Sequence, residues 1–196
     1  MRKPDEELAQ KRKKQILDAA IACFLKSGFH NTGMKEICTA ANMSPGALYR
    51  YFDSKGSIIQ AIAEREQQEM TGALQELRRA SNLKRALLIF MEEFTREACR
   101  MPENILGTEI FAESTRNKEV AKILKKTEGD FQTGMKALLQ DAEADGKIIL
   151  KLSPDETARA ILSLVYGFST LALLDRKTAS RKHAKLSRMI LENLIR

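Results

Sequence analysis

The sequence predicts an all-α protein, with an N-terminal three-helix helix-turn-helix domain over residues 1–55 and a second helical domain over residues 56–196. Three observations carry this. Gly and Pro number only 10 and 4 in 196 residues, so helix breakers are sparse. No segment of strand length alternates apolar and polar residues. Apolar residues instead recur three and four apart from residue 10 almost to the C-terminus, the spacing of one buried helix stripe.

The first helix is expected over residues 10–27, with Ile16, Ala20, Cys23, Phe24 and Leu25 on its buried stripe and Gly28 as its left-handed stop. The second follows Thr32 and carries Met34, Ile37 and Ala41, with Glu36 placed to reach back toward Thr32 or the first free amides. Asn42 and Met43 form a tight break. Ser44 is a strong N-cap and Pro45 suits the first helical position, so a third short helix runs from Pro45 to about Phe52. Asp53 and Ser54 break it and cap a fourth helix from Lys55 to about Ala80. Short helices joined by so few residues have helix-turn-helix spacing.

The remainder reads as five more helices. They span Asn82–Arg100, Glu103–Thr115 after Pro102, Asn117–Asp145 closed by Gly146, Pro154–Asp175 capped by Ser153, and Ala179–Arg196. The segment before Ser153, "KIILKL", reads as a link.

Charge and cysteine content narrow the function classes. The net charge is +7, which favours polyanionic partners. The positive density lies toward the front: residues 1–55 hold 10 Lys/Arg against 6 Asp/Glu, with Lys11, Arg12, Lys13 and Lys14 in a row. That run suits a solvated helix start as well as a nucleic-acid contact. Cys23, Cys38 and Cys99 are odd in number and far apart, which argues against a disulfide framework or a zinc site. Each sits in an apolar pattern and suits a small buried hydrophobe, with thiol sensing as the alternative. No apolar stretch approaches the roughly 18 residues of a membrane span, and no signal-peptide pattern opens the chain. A cytoplasmic location is the expectation. Two unrelated histidines, His30 and His183, with no nucleophile elbow, phosphate loop or metal-ligand cluster, argue against an enzyme, and no cofactor is expected.

The third helix suits DNA reading. Leu48 and Phe52, four apart, form its buried face. Its first turn, Ser44, Pro45, Gly46 and Ala47, has little bulk and lets backbone approach a groove. Tyr49, Arg50 and Tyr51 project outward. An arginine bonds guanine bidentately or grips phosphate, and a tyrosine donates to phosphate or packs on a thymine methyl. Lys55 and Thr32 flank the helix as backbone clamps. The same exposed residue types also occur at protein interfaces, so a helical protein-interaction module without DNA reading is the competing interpretation.

The stretch "GFHNTGMKEICTAANMSPGALYRYFDSK" resembles the N-terminal domain of TetR-family (tetracycline-repressor-type) transcriptional regulators. Gly28, Phe29, Thr32, Ile37, Ser44, Gly46, Leu48, Tyr49, Tyr51, Phe52, Ser54 and Lys55 match that family's pattern. Cys38 stands where alanine is usual, Asn42 where glycine is usual, and Gly56 where glutamate is usual. Asn tolerates left-handed backbone, so the turn survives. Gly56 weakens the first turn of the fourth helix by roughly 1 kcal/mol. The resemblance implies that Thr32, Ser44, Tyr51 and Lys55 contact phosphate. It also implies that Pro45, Gly46, Tyr49 and Arg50 face the groove, and that a homodimer reads a palindromic operator. Repression is the family's commoner habit.

The resemblance further implies a C-terminal domain that binds a small-molecule effector and dimerises. Phe90, Phe94, Phe111, Phe131, Met135 and Tyr166 look inward from four helices and suit either a pocket or plain core. Glu109 and Glu113, one turn apart, suit a cationic ligand or a solvated helix face. The apolar faces of the last two helices, with Ile161, Val165, Phe168, Leu186, Met189, Ile190 and Leu194, suit a four-helix dimer interface or the monomer's own core. Effector-driven motion of Glu103–Thr115 is expected to pass through Lys55–Ala80 and change the spacing of the two reading helices.

Overall fold

The computed structural model describes residues 3–100, 103–174 and 179–196, and the helices expected from periodicity are present. They are α1 (Lys3–Asn31), α2 (Met34–Ala40), α3 (Pro45–Tyr49), α4 (Lys55–Arg79), α5 (Leu83–Ala98), α6 (Glu103–Ser114), α7 (Lys118–Ala144), α8 (Pro154–Ala172) and α9 (Ala179–Leu194). The expected break at Pro102 and the expected end of α8 at Asp175 lie outside the described residues.

Helix ends follow local capping chemistry. The Ser44, Ser54, Asn82, Asn117 and Ser153 side chains each accept a backbone N–H of the helix they precede. Ser153 and Glu156 form a full capping box, and the bonds from Ser153 hold the Glu156 carboxyl below its ordinary range. Asn42 takes a left-handed φ of 51°, as its place in the turn requires.

Three local expectations are corrected. The first helix starts well before residue 10, because the polar stretch "ELAQKRKK" consists largely of good helix formers. Its regular run is interrupted at Gly28, as expected, by a φ of 75° and ψ of 157° that only glycine adopts readily, and one more turn follows to Asn31. The N-cap of α2 is Gly33, without a side-chain cap bond; Glu36 accepts instead from the Ser27 hydroxyl at 3.2 Å. The "KIILKL" link pairs with the C-terminus: Leu150 and Ile195 form an isolated antiparallel bridge, flanked by reciprocal backbone bonds between Ile149 and Arg196 at 3.0 and 2.8 Å.

The chain forms two compact units, and their cores do not divide at residue 55. The first comprises residues 1–65 and 106–125, the second residues 66–105 and 126–196. Ile16, Phe24, Phe29, Ile37, Leu48 and Phe52 share the first core with Ile58 and Ile62 of α4, Leu106 of α6 and Val120 of α7. Each such side chain gains about 1.5–3 kcal/mol on burial, so the helix-turn-helix obtains much of its stability from residues beyond 55. Leu87, Met91, Met135, Leu139, Ile161 and Leu191 lie in the second core, where α5, α8 and α9 pack on one another. The three cysteines are buried and unpaired. Burial raises the Cys23 thiol and pushes that of Cys99 up to about 11, which keeps both protonated and supports the packing role.

Candidate nucleic-acid interface

The outward side of α3 is set by what its inward side buries. Leu48 and Phe52 lie in the first core, and the Phe52 N–H donates to Leu48 O at 3.1 Å, continuing the helix as a turn. Tyr49 and Arg50, which follow Leu48, point away. Tyr49 is 51% exposed, and Arg50 is exposed with it. Tyr51 is half-buried against the core, so its ring is partly spent on packing. Ser44, Pro45 and Gly46 are exposed, Ala47 is partly covered, and a Cβ added at Gly46 would meet nothing within 4 Å. Arg12 of α1 joins Asn42, Met43, Ser44, Ala47, Arg50 and Tyr51 around an open cleft of about 310 Å³.

Two expected phosphate contacts are used internally instead. Thr32 is 1% exposed, and its hydroxyl lies 2.9 Å from Gly28 O and 3.2 Å from Cys23 O, closing the turn behind the kink. Lys55 donates from Nζ to Phe29 O at 2.7 Å, Thr32 O at 2.9 Å and His30 O at 3.3 Å. An ammonium has three donors, so these carbonyls use them all. Nζ also sits 4.3 Å from the Phe29 ring centroid. Burial lowers the Lys55 pKa, partly countered by the nearby Glu113 charge. Lys55 therefore clamps the α1–α2 turn. Sequence spacing could not distinguish this, since a lysine at a helix start suits either partner.

The Glu109–Glu113 pair is corrected in the same way. Glu109 Oε2 accepts the Phe29 N–H at 3.3 Å and lies where a Gly28 side chain would approach it at 3.3 Å. Glu113 is buried, accepting from Arg116 Nε at 2.7 Å and Asn117 Nδ2 at 3.4 Å. Burial alone would raise its carboxyl, but these bonds and the charges of Arg116 and His30 bring it below the ordinary range. Both carboxylates have protein partners: Glu113 is buried among its own and is no solvated face, and Glu109 is half-buried beside the α1 kink.

Among the described residues, no helix is long and apolar enough to cross a membrane, and no group of His, Cys, Asp or Glu is placed to hold a metal ion. Residues 16–62 match the family model "Bacterial regulatory proteins, tetR family", and residues 83–196 match "BetI-type transcriptional repressor, C-terminal". The regulator UidR of Escherichia coli K12 is 33% identical over 159 residues, covering 81% of this chain and 80% of UidR. Salmonella enterica GusR superposes with a TM-score of 0.78 at 33% identity, covering 94% of this chain and 95% of GusR. The chain belongs to the tetR family. It is a DNA-binding transcriptional regulator, as the motif around α3 implied. The fold is also shared at lower identity: the transcriptional regulator FadR of Bacillus subtilis, solved in complex with stearoyl-CoA, has a TM-score of 0.76 at 18% identity, covering 91% of this chain and 96% of FadR.

In this tetR-family chain the expected effector residues fall in both units. Phe90, Phe94 and Phe131 come together in the second, with centroids 5.2 Å apart for the first pair and 6.0 Å for the second. Met135 is fully buried beside them in the same core. Tyr166 is exposed on α8, and Phe111 is exposed on α6 in the first unit. The dimer set also divides. Ile161 and Val165, at 1% and 5% exposure, are core residues of the monomer and are removed from the interface. Phe168 and Leu194 are half-buried. Leu186, Met189 and Ile190 are exposed, as are Leu171 of α8 and Leu174 just beyond its end.

Proposed function

We propose that this regulator is a repressor that binds a palindromic operator as a homodimer, one α3 per half-site, and leaves it when a small-molecule effector binds the C-terminal domain. The observation that carries this is the division within α3, where Leu48 and Phe52 are buried while Tyr49 and Arg50 are exposed. Pro45, Gly46 and Ala47 give backbone access to the major groove, Tyr49 and Arg50 contact base edges, and Ser44 and Tyr51 bond phosphate. The repressor-type C-terminal match supports the sign of regulation. Exposed Leu186, Met189 and Ile190 supply the dimer face. The stacked phenylalanines near Met135 supply an apolar wall for the effector. The site of action is the cytoplasm.

Release works through α6. Glu109 links this helix directly to the kinked end of α1 at Phe29, so α6 has a shorter route to the reading helices than α4 alone. An effector that prefers another arrangement of α6 shifts the population away from the DNA-bound form. The test is a pair of titrations, with metabolites screened by thermal shift and each hit measured for DNA affinity with and without effector. Reciprocal weakening by one common factor supports the proposal, and DNA affinity indifferent to every bound hit contradicts it.

A further inference from the structure

We infer that Arg12 of α1 is a DNA-backbone contact which, with the Ser44 and Tyr51 hydroxyls, holds one phosphodiester in the cleft beside α3. This rests on the DNA-binding role of α3 and adds a residue to it.

A basic run at a helix start ordinarily presents mobile, solvated side chains, and Lys11, Lys13 and Lys14 are exposed neighbours of that kind. Arg12 differs because it is tethered. Its Nη1 donates to Gln15 Oε1 at 2.9 Å, and Gln15 Nε2 donates to Ala41 O at 2.7 Å. Ala41 immediately precedes Asn42, whose left-handed backbone sets the direction of α3. The guanidinium is thereby tied to the turn that aims the reading helix, with much of its orientation fixed before DNA arrives. Pre-ordering of this kind lowers the entropic cost of each bond formed on binding.

The cleft has the chemistry of an anion site. Its lining holds two guanidinium groups, the Asn42 amide, the Ser44 and Tyr51 hydroxyls, and no carboxylate. The Ser44 oxygen already accepts the Ala47 N–H at 3.3 Å but retains its own proton to donate. Planar guanidinium forks match the oxygens of a phosphate diester. The cleft also opens beside exposed Tyr49 and Arg50, so a DNA strand read by α3 brings its phosphates to Arg12.

The experiment is fluorescence-anisotropy binding of the full chain to duplex from upstream of its own gene and to random duplex, across a salt series. Wild type, Arg12→Ala, Arg12→Lys and Lys13→Ala are compared. A phosphate contact predicts that Arg12→Ala reduces the salt slope by about 1 and weakens both duplexes by a similar factor, on the order of tenfold. Arg12→Lys restores the slope with part of the affinity, while Lys13→Ala keeps the wild-type slope. Arg12 is exposed, so its variants retain the wild-type melting temperature. An Arg12→Ala slope equal to wild type, or equal to that of Lys13→Ala, overturns this inference alone. Wild-type binding without salt dependence overturns the DNA-binding reading along with it.

Discussion

Lys55 and Arg50 are both cations near the reading helix, and their surroundings give them opposite roles. Lys55 is engaged by three carbonyls and the Phe29 ring, whereas Arg50 is exposed on the cleft beside α3. Replacing Lys55 with Met leaves the carbonyls it satisfied short of a donor and is expected to cost about 1–3 kcal/mol of stability. The salt slope of DNA binding should be unchanged in the folded variant. Urea unfolding measures the first and anisotropy the second. Glu113 gives a pH prediction. Its carboxyl titrates below the ordinary range, so the stability it contributes is complete above that range and disappears as pH falls through the lower folded value. In Arg116→Ala the opposing effect of burial is less offset and the carboxyl rises. Acid unfolding, followed by circular dichroism, should then begin at a higher pH than in wild type.

Short helices depend on their ends more than long ones do. The five residues of α3 are begun by the Ser44 cap and held by Leu48 beneath. Ser44→Ala should lower stability by about 1 kcal/mol and weaken DNA binding beyond that, since α3 then frays in the free protein; melting and anisotropy on one preparation separate the two effects. The elements legible in sequence were those with strong local signals. Ser44-Pro45, Asn82 and Ser153-Pro154 fixed helix starts, and the four-residue spacing of Leu48 and Phe52 fixed the buried side of α3. What could not be read was partner choice over long separations. Lys55 and Phe29 are 26 residues apart, and Glu109 and Phe29 are 80 apart. Nothing in local periodicity says that a carboxylate on α6 will meet an amide at the end of α1. The same limit applied to α8, where Ile161 and Val165 share an apolar stripe with exposed neighbours, and only packing decides which side each one covers.

Two compact units, each with its own core, divide the regulator's tasks, and α4 and α7 each contribute residues to both. In the proposed homodimer the subunits associate through the second unit. Exposed Met189 and Ile190 on α9 are the residues to change. The double substitution Met189→Glu, Ile190→Glu should shift the protein to monomer in sedimentation velocity. It should preserve the melting cooperativity of each unit and lower affinity for a palindromic site far more than for random duplex, because a lone subunit loses the second half-site. The central claim is that α3 reads sequence, and one measurement addresses it directly: the ratio of affinities for upstream and random duplex, taken for wild type and Arg50→Ala at the same salt. Removal of a base-contacting arginine should reduce that preference by about 1–3 kcal/mol while random-duplex binding persists. An unchanged ratio in a correctly folded Arg50→Ala protein would contradict the account.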